Sequence, residues 1–121
     1  MYKLDKAYNE PIYMQIVNQT KSMIARGIFK EGDRLPSVRD LAKSLLVNQS
    51  TIARAFKEME ALGMIETVTG KGTFIKLDRR KMDWERERTE DLLKKLFEEA
   101  KFLGIGREDI LKLYDEMDGE E

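Results

Sequence analysis

Apolar residues Ile12, Ile16, Val17, Met23 and Ile24 recur near helical spacing behind Asn9 and Glu10, with Pro11 in the first turn, where a missing N–H costs little. The pattern predicts a first helix that stops at Gly27. After a polar turn through Lys30, Glu31, Gly32 and Asp33, residues Val38, Leu41, Ala42 and Leu45 keep i, i+3, i+4, i+7 spacing. They predict a second helix opened by Pro36 and Ser37, with Ser37 and Asp40 resembling a capping box. Only Leu46, Val47 and Asn48 separate it from a third helix carrying Ile52, Ala55, Phe56, Met59 and Leu62 and ending at Gly63. Two short helices joined so tightly must cross steeply. The period then changes. Residues 64–68 and 73–77 are rich in strand formers and flank a turn through Thr69, Gly70, Lys71 and Gly72, a hairpin signature, and Arg34-Leu35 can supply a short third strand.

Helix, helix, tight turn, helix, hairpin is the order of a winged helix-turn-helix, so the expected fold class is mostly α with a small β-hairpin, with this domain over residues 1–77. From Asp78 the chain becomes highly charged and then resumes a helical pattern, so residues 78–121 are expected to hold a linker and a short two-helix domain. Gly104 and Gly106 bracket a turn, after which Ile110, Leu111, Tyr114 and Met117 define a last helix before the acidic end Asp118-Gly119-Glu120-Glu121. Two helices of this size enclose no core of their own. The stripe Leu92, Leu93, Leu96, Phe97, Ala100 and Leu103, with Ile110, Leu111 and Tyr114 folded back on it, is therefore expected to be a dimerisation surface between two copies of the chain. Packing against the front half is the alternative. Trp84, in the linker among five basic residues, either anchors the hinge or lines a small ligand pocket; the anchor is favoured, since a lone tryptophan usually buries itself.

Composition closes off most chemistry. The 121 residues hold 22 Lys plus Arg against 23 Asp plus Glu, and neither Cys nor His, which excludes disulfides, thiolate nucleophiles, Cys/His zinc sites and imidazole bases. Asp83 and Glu87 are helix-spaced carboxylates on which nothing else converges, so an enzyme is not expected, and neither is a cofactor or a metal. No run of apolar residues is long enough for a membrane span, and the cytosol is the expected compartment. Charge is divided unevenly: residues 1–77 carry 12 basic and 8 acidic side chains, residues 78–121 carry 10 and 15. A positive front half suits a polyanionic partner.

On a helical wheel the apolar stripe of the third helix leaves Ser50, Arg54 and Lys57 pointing away. In a helix-turn-helix the amino-terminal part of this helix lies in the major groove, so Gln49, Ser50, Thr51 and Arg54 are candidates to reach base edges or flanking phosphates. For Ser50 and Thr51, ordinary helix-start chemistry is an equal alternative. Gly70-Lys71-Gly72 is expected to form the wing tip, where Lys71 and the backbone at Gly72 can meet the minor groove or phosphate; a plain hairpin turn is the alternative. A nucleotide-binding loop fails on its leading glycine, which would fall at Ile65, and on the residue after Lys71.

Four fragments in order carry a resemblance: Leu35-Pro36-Ser37-Val38-Arg39-Asp40-Leu41-Ala42, Val47-Asn48-Gln49-Ser50-Thr51-Ile52, Glu60-Ala61-Leu62-Gly63-Met64-Ile65 and Gly70-Lys71-Gly72-Thr73-Phe74. Over roughly residues 9–77 the chain resembles the GntR family of bacterial transcription regulators. Pro11-Ile12-Tyr13, residues 53–60 and the two-helix tail are similar to its YtrA-type branch. The resemblance implies a homodimeric repressor of a transporter operon of the ABC type. It also implies an inverted-repeat, double-stranded DNA operator with GT and AC outer steps, and adds Ser37 and Arg39 to the DNA-binding set. A small-molecule effector of unspecified chemistry is compatible with it. Many relatives have arginine where this chain has Gln49 or Ala53, so their base-reading set does not transfer intact. A winged-helix protein-interaction module, using the same exposed helix, is the rival function.

Overall fold

The computed structural model describes residues 1–119. Along the chain these form α1 (Ile12–Ala25), β1 (Arg34–Leu35), α2 (Val38–Leu45), α3 (Gln49–Ala61), β2 (Ile65–Val68), β3 (Gly72–Ile75), α4 (Arg79–Phe102) and α5 (Arg107–Gly119). Two compact units result, Met1–Met82 and a second that begins at Asp83.

In the first unit the apolar faces of α1, α2 and α3 meet over a three-stranded antiparallel sheet of order β1-β3-β2. Ile16, Val17, Ile52, Ala55, Met59 and Ile75 are essentially sealed from water, with Leu35, Leu41, Phe56, Met64 and Ile65 closing around them. Each fully buried Ile, Val or Met side chain in this set contributes about 1.5–3 kcal/mol, and Ala55 less. The hairpin pairs Ile65 with Ile75 and Val68 with Gly72, while Arg34 pairs with Phe74 and Leu35 with Thr73, so β3 is the central strand.

Helix boundaries follow local chemistry. Ser37 Oγ accepts the Asp40 N–H at 3.0 Å and starts α2. At the end of α3 the Gly63 N–H reaches Glu60 O and the Met64 N–H reaches Met59 O, the paired bonds of a Schellman stop, and the same pairing closes α1 at Gly27 and α4 at Gly104. The stop after α2 is different: Leu46, not glycine, takes the left-handed conformation at φ +57° and is 84% exposed.

Gly63 has a second role. The Asp78 N–H donates to Gly63 O at 2.8 Å, and Lys81 Nζ donates to Glu60 O at 3.3 Å, so the start of α4 rests on the end of α3. A Cβ at Gly63 would lie 2.8 Å from Lys81 Cβ and 3.0 Å from Asp78 Cβ.

The sequence pattern left residues 1–10 without a role, yet they are stitched onto α1 by glutamine amides. Gln15, almost fully buried, accepts the Asp5 N–H through Oε1 at 2.9 Å, and its Nε2 donates to Asp5 O and Glu10 O, both at 2.8 Å. Gln19 pairs with the Lys3 backbone in the same way, and the Tyr2 hydroxyl lies 2.8 Å from Thr20 Oγ1. No buried side-chain nitrogen or oxygen among the described residues lacks a partner.

In the second unit three expectations need correction. The charged run after Asp78 is not an irregular linker: it is helical from Arg79, and Arg86–Glu90 and Arg88–Glu85 form ion pairs at helical spacing. Within this chain α5 does not fold back on α4. Trp84 is no buried anchor; it stands 62% exposed on α4, with the Arg88 guanidinium 5.8 Å from its ring centre, because nothing in the same unit covers it. The last helix continues to Gly119; the acidic end beyond it, Glu120 and Glu121, lies outside the described residues. Ion pairs in both units, including Lys76–Glu66 on the hairpin, join side chains that are not buried. No described helix is long and apolar enough to cross a membrane, and no cluster of three or more potential metal ligands occurs among the described residues.

Candidate nucleic-acid interface

Because Ile52, Ala55, Phe56 and Met59 all face the core, α3 is fixed between α1 and α2 and turns its opposite side outward. Gln49, Ser50, Arg54 and Lys57 are exposed on this helix, and Thr51 is half-buried at its edge. Asn48 occupies the cap position without a side-chain cap bond, and the first turn holds no acidic residue, so the positive end of the helix dipole is left for an anion. Ser50 and Thr51 stand in the first turn of α3, the place that both helix-start chemistry and groove contact require.

Ser37 and Arg39 lie at the start of α2, which crosses α3. Both are exposed, and Ser37 Oγ already serves as the cap acceptor. Arg39 takes part in no ion pair among the described residues. At the wing, the Lys71 N–H closes the turn onto Val68 O at 2.9 Å and leaves the Lys71 side chain exposed. Gly72 sits at φ +118°, and a Cβ there would lie 2.8 Å from Arg34 Nε. The guanidinium of Arg34 therefore lies against the wing backbone.

Two residues of this surface escaped sequence reasoning. Arg34 was read only as part of a strand, since its neighbourhood with Gly72 exists only because β1 pairs with β3. Tyr13 carries no role in the local pattern, yet the Arg54 guanidinium lies over its ring, 3.9 Å from the centre. No signal in the local pattern links these two positions.

The residues expected to pair two copies lie in the second unit. Leu92, Leu93 and Phe97 are exposed, Leu96, Leu103 and Tyr114 are 63%, 61% and 64% exposed, Leu111 is also exposed, and Ala100 is half-buried. Among the described residues they form no core.

Comparison with known proteins places this arrangement. The family model described as "Bacterial regulatory proteins, gntR family" matches residues 12–75. The HTH-type transcriptional repressor YtrA of Bacillus subtilis is 39% identical over 107 residues, covering 87% of this chain and 82% of that protein. A structure described as a transcriptional antiterminator from Listeria monocytogenes EGD-e superimposes with a TM-score of 0.78 at 33% identity, over 98% of this chain and 90% of that one. The DNA-binding domain of AraR, in complex with operator ORE1, matches with a TM-score of 0.53 at 25% identity, over 62% of this chain and 92% of that one. With Arg54 and Lys57 exposed on an outward-facing α3, a glycine-flanked wing and these relatives, the chain belongs to the GntR family as a winged-helix, DNA-binding transcriptional regulator of the YtrA type.

Proposed function

We propose that the protein is a homodimeric repressor that occupies an inverted-repeat operator controlling a transporter operon, with DNA contacts in residues 1–77 and pairing in residues 78–121. The observation that carries the reading is the uncovered apolar face of the second unit, where α4 contains no buried residue despite Leu92, Leu93, Leu96 and Phe97. A contiguous apolar surface of this kind is costly in water, and a second copy of the same helix is its simplest cover. Pairing also serves recognition. One α3 spans only a few base pairs, whereas two joined copies engage two half-sites as a single event, and a two-fold protein matches a palindromic site. The names of two relatives, a repressor and an operator-bound domain, support the regulatory half of the reading.

In this reading Arg39, Gln49, Ser50 and Thr51 face base edges, and Ser37, Lys57, Lys71 and the Gly72 backbone steady the phosphates and the minor groove. The experiment is Leu96→Glu, which sets a carboxylate in the middle of the apolar face. Sedimentation should show a protomer of half the mass, and a duplex selected from random sequences by the unmodified protein should no longer be retained. A monomeric variant with unchanged affinity for that duplex overturns the proposal.

A further inference from the structure

Arg54 was grouped with side chains free to reach into the groove, but its guanidinium lies on the ring of Tyr13, 3.9 Å from the centroid. Tyr13 belongs to the first turn of α1, half-buried and packed against the core, so the ring is a fixed plate rather than a mobile side chain. An arginine of ordinary surface character samples many rotamers, and a stack on such a plate selects one of them. Stacking of this kind engages the flat face of a guanidinium and leaves its N–H edge available. Among the described residues no carboxylate pairs with that edge.

The direction of the stack matters as much as its strength. A side chain reading a base edge extends outward along the normal of its helix, whereas Arg54 leans sideways onto the neighbouring α1. We propose that Tyr13 is a positioning residue that holds Arg54 at the α1 edge of α3 as a phosphate clamp, so that Arg54 contributes affinity without base discrimination. This rests on α3 being the groove-facing helix, as proposed above. An exposed cation–π contact corresponds to roughly two- to fivefold in an equilibrium constant, hence about five- to thirtyfold for a pair of protomers.

The test uses the full chain and two duplexes of equal length, one selected from a random pool by the unmodified protein and one with its sequence shuffled. Binding is followed by fluorescence anisotropy across a salt series. Arg54→Ala should weaken both duplexes by the same factor and make the salt dependence shallower by about one phosphate per protomer. Tyr13→Met, which keeps an apolar side chain but no π face, should weaken both about five- to thirtyfold. Tyr13→Phe should restore binding to within about twofold of the unmodified protein. The double variant Tyr13→Met/Arg54→Ala should bind no worse than Arg54→Ala alone.

Additive losses in the double variant overturn the proposal, as does a loss confined to the selected duplex, or a Tyr13→Phe variant as weak as Tyr13→Met. Should Tyr13→Met fail to fold, Arg54→Ala and Tyr13→Phe still decide: loss of base preference in the first, or an unfilled Arg54→Ala-like deficit in the second, sinks it. If Arg54→Ala and Lys71→Ala both leave DNA retention intact, the groove-facing role of α3 and the wing falls as well; silence of the Tyr13 variants alone removes only the clamp.

Discussion

Replacing Gly63 by alanine isolates the seat of α4 on the end of α3. Two costs arise at this position. An L-residue at φ +76° is strained by about 1–2 kcal/mol. The new Cβ would also lie 2.8 Å from Lys81 Cβ and 3.0 Å from Asp78 Cβ, atoms fixed to backbone that no side-chain rotation can move away. Overpacking of that kind costs about 1–3 kcal/mol, and relief by lifting the first turn of α4 gives up the Asp78 to Gly63 bond instead. Alanine recovers about 0.5–1 kcal/mol by restricting the unfolded chain. The net expectation is a loss of about 3 kcal/mol. Gly70→Ala is the matched control, since Gly70 has nearly the same φ, +78°, with nothing within 4 Å of its added Cβ. It should cost about 1 kcal/mol, the strain less the entropic gain. Urea unfolding of both variants at one protein concentration gives the difference through the midpoints, with unchanged slopes. Hydrogen exchange at Asp78 should accelerate in the Gly63 variant alone. Equal midpoints for the two variants would refute the packing argument.

Three further outcomes follow from other contacts. Gln15→Ala strips partners from the Asp5 N–H and from the Asp5 and Glu10 carbonyls, and should cost about 1–3 kcal/mol in denaturant titration while freeing the first residues to protease; an unchanged midpoint contradicts the stitching role. Leu46→Gly relieves a left-handed leucine whose side chain is in water, and should raise stability by roughly 0.5–1 kcal/mol; a lower melting temperature would show that the turn is not strained. Burial raises the pKa of the Tyr2 phenol above 10.0, an effect the Thr20 hydrogen bond partly opposes. Its neutral form is favoured by folding, so the stabilisation is complete below that pH and fades as pH climbs through the raised value; Tyr2→Phe should flatten this alkaline decline in a pH series of urea midpoints.

Much of the first unit was legible because its signals are local. The wheel position of Ile52, Ala55, Phe56 and Met59 reports the buried face of α3 directly, and glycines 27, 63 and 104 end helices through backbone geometry that needs no distant partner. The switch from helical to strand pattern around Gly70 and Gly72 marks the wing, and the four motif fragments identify the family. What stayed hidden depends on contacts remote in sequence. Gln15 reads as an ordinary polar residue because its partners sit upstream in an irregular segment, and Tyr13 meets Arg54 only once α1 and α3 are packed together. The charged start of α4 reads as a linker because charge density alone says nothing of the pairs Arg86–Glu90 and Arg88–Glu85 that support a helix there. Trp84 is expected to bury itself as an anchor of the hinge, and it stands exposed because the second unit has no interior to offer it.

The ion pairs described above have a consequence for how the regulator responds to its medium. With its interior built of aliphatic and aromatic residues and its charge pairs left on solvated side chains, folding owes little to electrostatic attraction and should be nearly indifferent to electrolyte. Association with a polyanion is the opposite case, because each phosphate neutralised sheds a counterion. A rise in salt should therefore release DNA without depleting the pool of folded protein, and the response should reverse as soon as the ions leave.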